Sequence, residues 1–187
     1  MFIRSKKIKN QEYAYLVKNI WRKRKKSSRQ KSSKYLGKLY KFNKIKNNSL
    51  EEYINITDIN KYLEKTPDNK IIKDLLKLEL LNHGFQQKSK NIFLLNNFKV
   101  NLSKKTVIDT KTKKPICLEI NNNFLCNYTL SRIINFIPKK DLTELQIGKQ
   151  LANAFESAGI IVPKELFVII AQKILNDLEA DIRIIKK

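Results

Sequence analysis

Two acidic residues of this chain have the spacing of a metal-binding pair. Asp109 and Glu119 lie ten residues apart on adjacent predicted strands that follow a helix. Nucleases of the Asp…Glu-x-Lys type hold a divalent metal with two carboxylates placed in this way. However, this pattern needs a lysine two residues after Glu119, and the residue there is Asn121. Asp109 also begins a Lys-rich turn, where Asp is common because its side chain hydrogen-bonds the backbone. We favour a turn Asp and an exposed strand Glu; a vestigial metal site, in a metal-dependent nuclease or mobile-element enzyme, is the weaker hypothesis.

Other residues that often do chemistry are few. His83 is the only histidine and stands beside Gly84 at a predicted helix end, where a cap or a helix-dipole interaction explains it. Cys117 and Cys126 lie on or near apolar segments and are expected to be small buried side chains, with a redox pair as the alternative. Four glycines leave no Gly-rich loop that could cradle a phosphate. We therefore expect no catalytic residue, no metal and no cofactor.

The strongest signal is the placement of charge. The chain has 187 residues and a net charge of +22. Residues 1–48 hold 17 Lys or Arg and one acid, Glu12, so their net charge is +16. The remaining 139 residues hold 22 basic and 16 acidic side chains, so their net charge is +6. Without local acids, these cations need water or an external anion. We predict that they bind nucleic acid through the following residues: Arg4, Lys6, Lys7, Lys18, Arg22, Lys23, Arg24, Lys25, Lys26, Arg29, Lys31, Lys34 and Lys38.

Aromatic and β-branched residues between these charges predict strands over residues 2–8, 13–22 and 29–40. We interpret them as a three-stranded antiparallel sheet; a flexible arm that orders on its partner is the alternative. Alternation along the second strand places Tyr13, Tyr15, Val17 and Trp21 on a common face. Asn19 lies on the same face as a polar exception.

The aromatic residues of this strand have two interpretations. Tyr13, Tyr15 and Trp21 either support the sheet as core residues, which we favour, or stack on unpaired bases from an open face. Among the cations, the arginines are the ones that could also reach base edges in a major groove wide enough for a β-ribbon: Arg4, Arg22, Arg24 and Arg29.

The N-terminal sequence resembles a known kind of DNA-binding segment. Its opening Met-Phe-Ile-Arg-Ser-Lys-Lys, its Tyr-Ala-Tyr-Leu-Val at 13–17 and its Lys-Tyr-Leu-Gly at 34–37 are similar to the start of archaeal and other prokaryotic transposase-like proteins. The layout also resembles the three-stranded arm-type DNA-binding modules of tyrosine integrases. The resemblance covers about 40 of the 187 residues, and neither a triple-carboxylate transposase core nor an integrase Arg-His-Arg-Tyr set follows it. It implies DNA binding by the N-terminal segment alone.

The rest of the chain predicts helices and short strands. Residues Ser49 to Glu52 have the pattern of a capping box, which starts a helix that ends at about Ile56. A short turn then begins at Thr57 or Asp58 and ends at Glu64. Asp68 is expected to cap a helix that ends at Asn82. A β-meander is expected at about 91–120, with strands at 92–95, 98–102, 106–108 and 116–120. Three helices should follow, roughly 124–136, 142–158 and 163–185, with a capping box at Asp141–Glu144. The predicted fold class is therefore α+β, with a basic β-rich module at 1–48 and an α+β domain at 49–187.

These features favour a nucleic-acid-binding protein without catalysis of its own. DNA is preferred over RNA on the strength of the resemblance, and an RNA-binding or ribosome-associated structural protein is the alternative. The C-terminal helices could also bind a protein partner or a second copy of the chain. No apolar run approaches the ~18 residues that a membrane span needs, and no signal-peptide core follows the basic N-terminus, so we expect a cytoplasmic protein with no membrane partner.

Overall fold

The computed structural model describes residues 1–138 and 142–185, with side chains as far as residue 177. The fold is α+β, as predicted: N-terminal strands, three helices, a run of short strands and three further helices follow one another along the chain. The strands are β1 Phe2–Ile8, β2 Gln11–Arg22, β3 Ser27–Lys41, β4 Gln86–Ser89, β5 Ile92–Leu95, β6 Phe98–Asn101, β7 Thr106–Asp109, β8 Ile116–Ile120 and β9 Asn123–Leu125. The helices are α1 Leu50–Ile54, α2 Ile59–Lys65, α3 Asp68–Asn82, α4 Asn127–Ile134, α5 Glu144–Ser157 and α6 Lys164–Ile185.

The three N-terminal strands form the antiparallel meander that the sequence predicts, and they belong to a larger sheet. Its strand order is β1-β2-β3-β8-β9, with β3 parallel to β8 and the other neighbours antiparallel. The sheet therefore runs from the basic N-terminal segment into the second half of the chain. The proposed domain boundary at residue 48 stays a prediction, which limited proteolysis near residues 41–50 would test.

The second sheet is an antiparallel meander of four strands, β4-β5-β6-β7. Three of its strands match the meander predicted at about 91–120, but two details were wrong. Residues 86–89 form an additional first strand, and β8 lies in the five-stranded sheet instead. β8 is almost wholly buried, which is typical of a strand in the middle of a sheet covered on both faces.

Local capping signals place the first helices well. The Ser49–Glu52 capping box is present: the Glu52 N–H donates to Ser49 Oγ at 3.2 Å, and the Ser49 N–H donates to Glu52 Oε2 at 2.9 Å. Asp58 caps α2. Asp68, however, is the first residue of α3 and not its cap, because Pro67 occupies the N-cap position.

Two of the three C-terminal helices need a correction. The first of these helices, α4, begins at Asn127 and not at residue 124, because residues 123–125 form β9, which pairs with β8. The cap of α5 is Thr143, whose side chain accepts from the Gln146 N–H, whereas Asp141 of the predicted capping box lies outside the described residues. The last helix, Lys164–Ile185, confirms the prediction of roughly 163–185. None of the helices in the described chain is long and apolar enough to cross a membrane.

Two apolar clusters hold these elements together. The larger joins the helices to the second sheet and to β8 and β9. The smaller lies against one face of the N-terminal strands and consists of Ala14, Leu16, Leu36, Leu39, Cys117 and Cys126. The smaller cluster anchors β2 and β3 on β8. The opposite face of these strands, called here the open face, is covered in part: Val17 is buried and Tyr40 packs on Phe98, whereas Tyr35 is 51% exposed.

Candidate nucleic-acid interface

The far ends of β2 and β3 extend beyond the smaller apolar cluster as a two-stranded ribbon, here called the arm (residues 18–31). Lys18 pairs with Lys31 and Arg22 with Ser27 across the ribbon, and a 3-10 turn at Lys23–Lys25 closes it. Every side chain of the arm is exposed except that of Arg22, which is partly buried. Five paired residues a side give the ribbon a length of about 17 Å.

The arm has two different faces because successive side chains of a strand alternate. One face carries Lys18 and Ile20 opposite Lys31 and Arg29, and the register places the two lysines directly across from each other. Like charges in this position destabilise a ribbon unless an anion binds between them. The charge of this face is therefore suited to a polyanionic partner.

The other face of the arm is uncharged and polar. Asn19 pairs with Gln30, and Trp21 pairs with Ser28. Trp21 is 62% exposed, so its interpretation as a core residue was wrong. This face offers amide groups and one indole ring to a partner.

Almost all of the N-terminal cations lack an acidic partner. Among the described residues, Lys41 is the one cation of residues 1–48 that forms an ion pair, at 3.3 Å to Glu12 and 3.5 Å to Glu119. The carboxylate of Glu12 and then that of Glu119 raise the pKa of Lys41 above its usual value. The single acid of this segment is thus engaged at the base of the sheet, away from the arm.

Three tyrosines meet on the open face of the sheet, and we call them the tyrosine cluster: Tyr13, Tyr15 and Tyr35. The ring centroid of Tyr35 lies 6.2 Å from that of Tyr13 and 5.5 Å from that of Tyr15. Tyr13 and Tyr15 are half-buried, whereas Tyr35 is 51% exposed. Burial and the neighbouring tyrosines raise the pKa of Tyr35, so its hydroxyl keeps its proton at neutral pH.

Sequence reasoning did not place Tyr35 in this cluster. Tyr35 faces Tyr15 because β3 contains a β-bulge: Ala14 pairs with Gly37 but Tyr15 pairs with Tyr35, so Leu36 is the extra residue. In a regular register Leu36 would stand opposite Tyr15. The glycine at position 37, with φ of +143°, was the one local signal of an irregular strand there.

Cations from β1 border the tyrosine cluster. Arg4 pairs with Tyr15 and Lys6 with Tyr13, so both stand beside the cluster on the open face. The Arg4 guanidinium also donates to Gln30 Oε1 across β2. A groove of about 640 Å³ runs between these strands, and its lining includes three cations and no carboxylate: Arg4, Ser5, Lys6, Lys7, Tyr15, Val17, Gln30 and Ser32.

The remaining predicted contacts are distributed around this region. Six of these cations lie at or near the tip of the arm: Arg22, Lys23, Arg24, Lys25, Lys26 and Arg29. Lys34 lies between the arm and the tyrosine cluster. Lys38 pairs with Tyr13 from β3, and its Nζ stands 5.4 Å from the ring centroid of Tyr40. The predicted nucleic-acid-binding residues therefore all belong to the three N-terminal strands and the turn of the arm.

Asp109 and Glu119 belong to different sheets. Asp109 ends β7, where its carboxylate accepts from the Lys111 N–H at 2.8 Å and from Thr112 Oγ1 at 3.0 Å. These hydrogen bonds, that of Lys111 first, lower the pKa of Asp109. Asp109 is thus a turn residue, as its Lys-rich surroundings predict. Glu119 is a strand residue, but the prediction that it is exposed was wrong: it is partly buried on β8, a central strand of its sheet, and pairs with Lys41.

The single histidine and the two cysteines are buried. His83 ends α3, and its Nδ1 lies 2.9 Å from the Glu79 carbonyl oxygen and 3.3 Å from Glu79 Oε1. Cys117 and Cys126 are fully buried in the smaller cluster, as predicted. The interaction between the two thiols raises the pKa of Cys117, to which burial adds, and lowers the pKa of Cys126.

Comparisons with protein-family models, curated proteins and solved structures found no match for this chain. The geometry and charge of the N-terminal strands are therefore the basis on which a function can be argued.

Proposed function

We propose that this protein binds nucleic acid through its N-terminal strands, with duplex DNA as the preferred partner and the arm lying in the major groove. The observation that carries the proposal is the pairing of Lys18 with Lys31 on a ribbon whose cations have no acidic partner among the described residues. This arrangement is unfavourable in isolation and favourable on a phosphate backbone.

The dimensions of the arm support this partner. Two strands lie about 4.8 Å apart, and a major groove about 12 Å wide admits a two-stranded ribbon with its side chains. Lysines and arginines of the arm would bind phosphates and set its position, without reading sequence.

A salt series tests the proposal. Changing Lys18→Gln and Lys31→Gln together removes two phosphate contacts, and each contact contributes about −0.9 to the slope of log K against log salt on B-DNA. The slope for a DNA duplex should therefore become shallower by about 1.8, with weaker binding to every sequence. An unchanged slope would overturn the placement of the arm on the phosphates.

The matched control is Lys88→Gln with Lys90→Gln. These two exposed lysines lie at β4 in the second sheet and change the net charge by the same amount. If the control alters the slope as much as the arm variant does, bulk charge explains binding and the arm does not.

An RNA duplex of the same sequence tests the preference for DNA. The deep and narrow major groove of A-form RNA does not admit a β-ribbon. Weaker binding to the RNA duplex is therefore expected, and equal or tighter binding would show that the DNA preference is wrong.

A further inference from the structure

We propose that the open face beside the arm is a second binding site, which takes an unpaired segment of nucleic acid and stacks its bases on the tyrosine cluster. The inference rests on the proposed function in one respect, that the ligand is a nucleic acid. It adds a separate surface with its own chemistry and its own class of substrate.

The first argument is the distribution of apolar residues over the two faces of β2. Ala14 and Leu16 are buried in the smaller apolar cluster. Tyr13 and Tyr15, which alternate with them, point to the open face with Tyr35. A half-exposed group of three aromatic rings is the kind of surface on which bases stack, since every base has an apolar flat face.

The second argument is that the bulge brings the third ring into place. It moves Leu36 into the buried cluster and brings Tyr35 to the open face opposite Tyr15. Bulges often re-aim a side chain near a functional site. Without this one, an aliphatic side chain would stand where Tyr35 does.

The third argument is charge complementarity. Arg4 and Lys6 stand beside Tyr15 and Tyr13 on β1, and Lys38 stands beside Tyr13 on β3. Cations on both sides of aromatic rings fit a strand whose phosphates run along the edges of the cluster while its bases lie over the rings. No carboxylate lines the adjoining groove in the described part of the chain, so a cationic or a neutral apolar ligand is less well matched than an unpaired nucleic acid.

Unpaired nucleic acid is favoured over duplex at this face because of base geometry. In a duplex, the flat faces of the bases are covered by their neighbours, and only their edges are open to the grooves. Rings lying on a sheet can stack only on bases that have left such a stack. The tyrosine cluster and the arm should therefore prefer different forms of nucleic acid.

The test compares a short single-stranded oligothymidine with a blunt DNA duplex, each labelled for fluorescence anisotropy. Tyr35→Leu keeps apolar surface against Tyr13 and Tyr15 but removes the aromatic ring, and Tyr35→Phe is the matched control that keeps the ring. We expect Tyr35→Leu to weaken oligothymidine binding about tenfold, the effect of losing one stacked base, and to leave duplex binding unchanged. Tyr35→Phe should bind both as the unaltered chain does.

The outcomes separate this proposal from the proposed function. Unchanged oligothymidine binding by Tyr35→Leu, or equal losses on both ligands, overturns the stacking site. A variant with Lys18→Gln and Lys31→Gln that binds duplex normally overturns the role of the arm instead, whatever Tyr35 does. Circular dichroism of each variant confirms that its strands are intact, and loss of strand signal in Tyr35→Leu alone would make Tyr35 a structural residue and refute the site.

Discussion

Gly37 lies where β3 of the N-terminal strands approaches β8, and changing it to Ala should lower the stability of the fold. A Cβ at this position would lie 2.7 Å from Ile116 Cα and 2.7 Å from the Pro115 carbonyl oxygen, both of which are backbone atoms of the segment that begins β8. No side-chain rotation can relieve this overlap. The φ of +143° at Gly37 is in addition a conformation that L residues rarely adopt.

The expected magnitude combines these two effects. Overpacking costs about 1–3 kcal/mol, and holding a residue in a sparsely populated backbone conformation costs a further ~1–3 kcal/mol. Gly37→Ala should therefore lower the free energy of unfolding by about 2–6 kcal/mol, a large share of the ~5–15 kcal/mol that stabilises a typical domain. Urea unfolding followed by circular dichroism measures this loss.

Gly148→Ala is the matched control, because the same substitution meets an empty site there. Gly148 lies in α5, and a Cβ on it would have nothing within 4 Å. Ala in place of Gly inside a helix should raise the free energy of unfolding by about 0.5–1 kcal/mol. A cost below about 1 kcal/mol for Gly37→Ala, less than overpacking alone predicts, would refute the argument that Gly37 is needed for β3 to approach β8.

Three further predictions follow from single side chains. Tyr62→Phe removes the 2.7 Å hydrogen bond from the Tyr62 hydroxyl to the buried Asp74 carboxylate. It should lower the free energy of unfolding, measured in urea, by about 1–2 kcal/mol, and an unchanged free energy would mean that the bond adds nothing to stability. Because the pKa of Asp109 is lowered in the folded state, its carboxylate stabilises the fold above its ordinary pKa, and this contribution is lost as the pH falls through the folded pKa. The stability difference between the unaltered chain and Asp109→Asn should therefore shrink in acid; a difference independent of pH would contradict the turn hydrogen bonds. Trp21, the only tryptophan, should show solvent-exposed fluorescence that changes when nucleic acid binds, and an unchanged spectrum at saturation would place the contact elsewhere than on the uncharged face of the arm.

Features that depend on neighbours in the chain could be predicted from the sequence. The Ser49 capping box is an example, because its hydrogen bonds join residues three positions apart. The common face of Tyr13, Tyr15 and Trp21 is another, since alternation in β2 is a property of an extended backbone. The turn role of Asp109 was also readable from the lysines and threonines that follow it.

Features that depend on pairing between distant segments could not be predicted in this way. Nothing near residue 40 indicates that β3 lies parallel to a strand more than 70 residues later, or that residues 123–125 add a further strand and not the first turn of a helix. The separation of Asp109 and Glu119 into two sheets has the same cause. Such contacts are decided by which apolar surfaces can cover one another once the chain has collapsed, and local propensity does not encode that choice.

The amino-acid sequence by itself determined where the charge of this protein lies, because lysines and arginines without acidic neighbours must stay at the surface whatever the fold. It also predicted strands for the charged segment, which the structure confirms. Only the tertiary structure decided how that charge is presented: the smaller apolar cluster covers one face of β2 and β3, the arm extends beyond it, and the bulge at Leu36 places Tyr35 beside Tyr15 on the open face. The physical reason is that burial and strand register, which assign each side chain to a buried or an open face, are set by contacts between segments far apart in the chain.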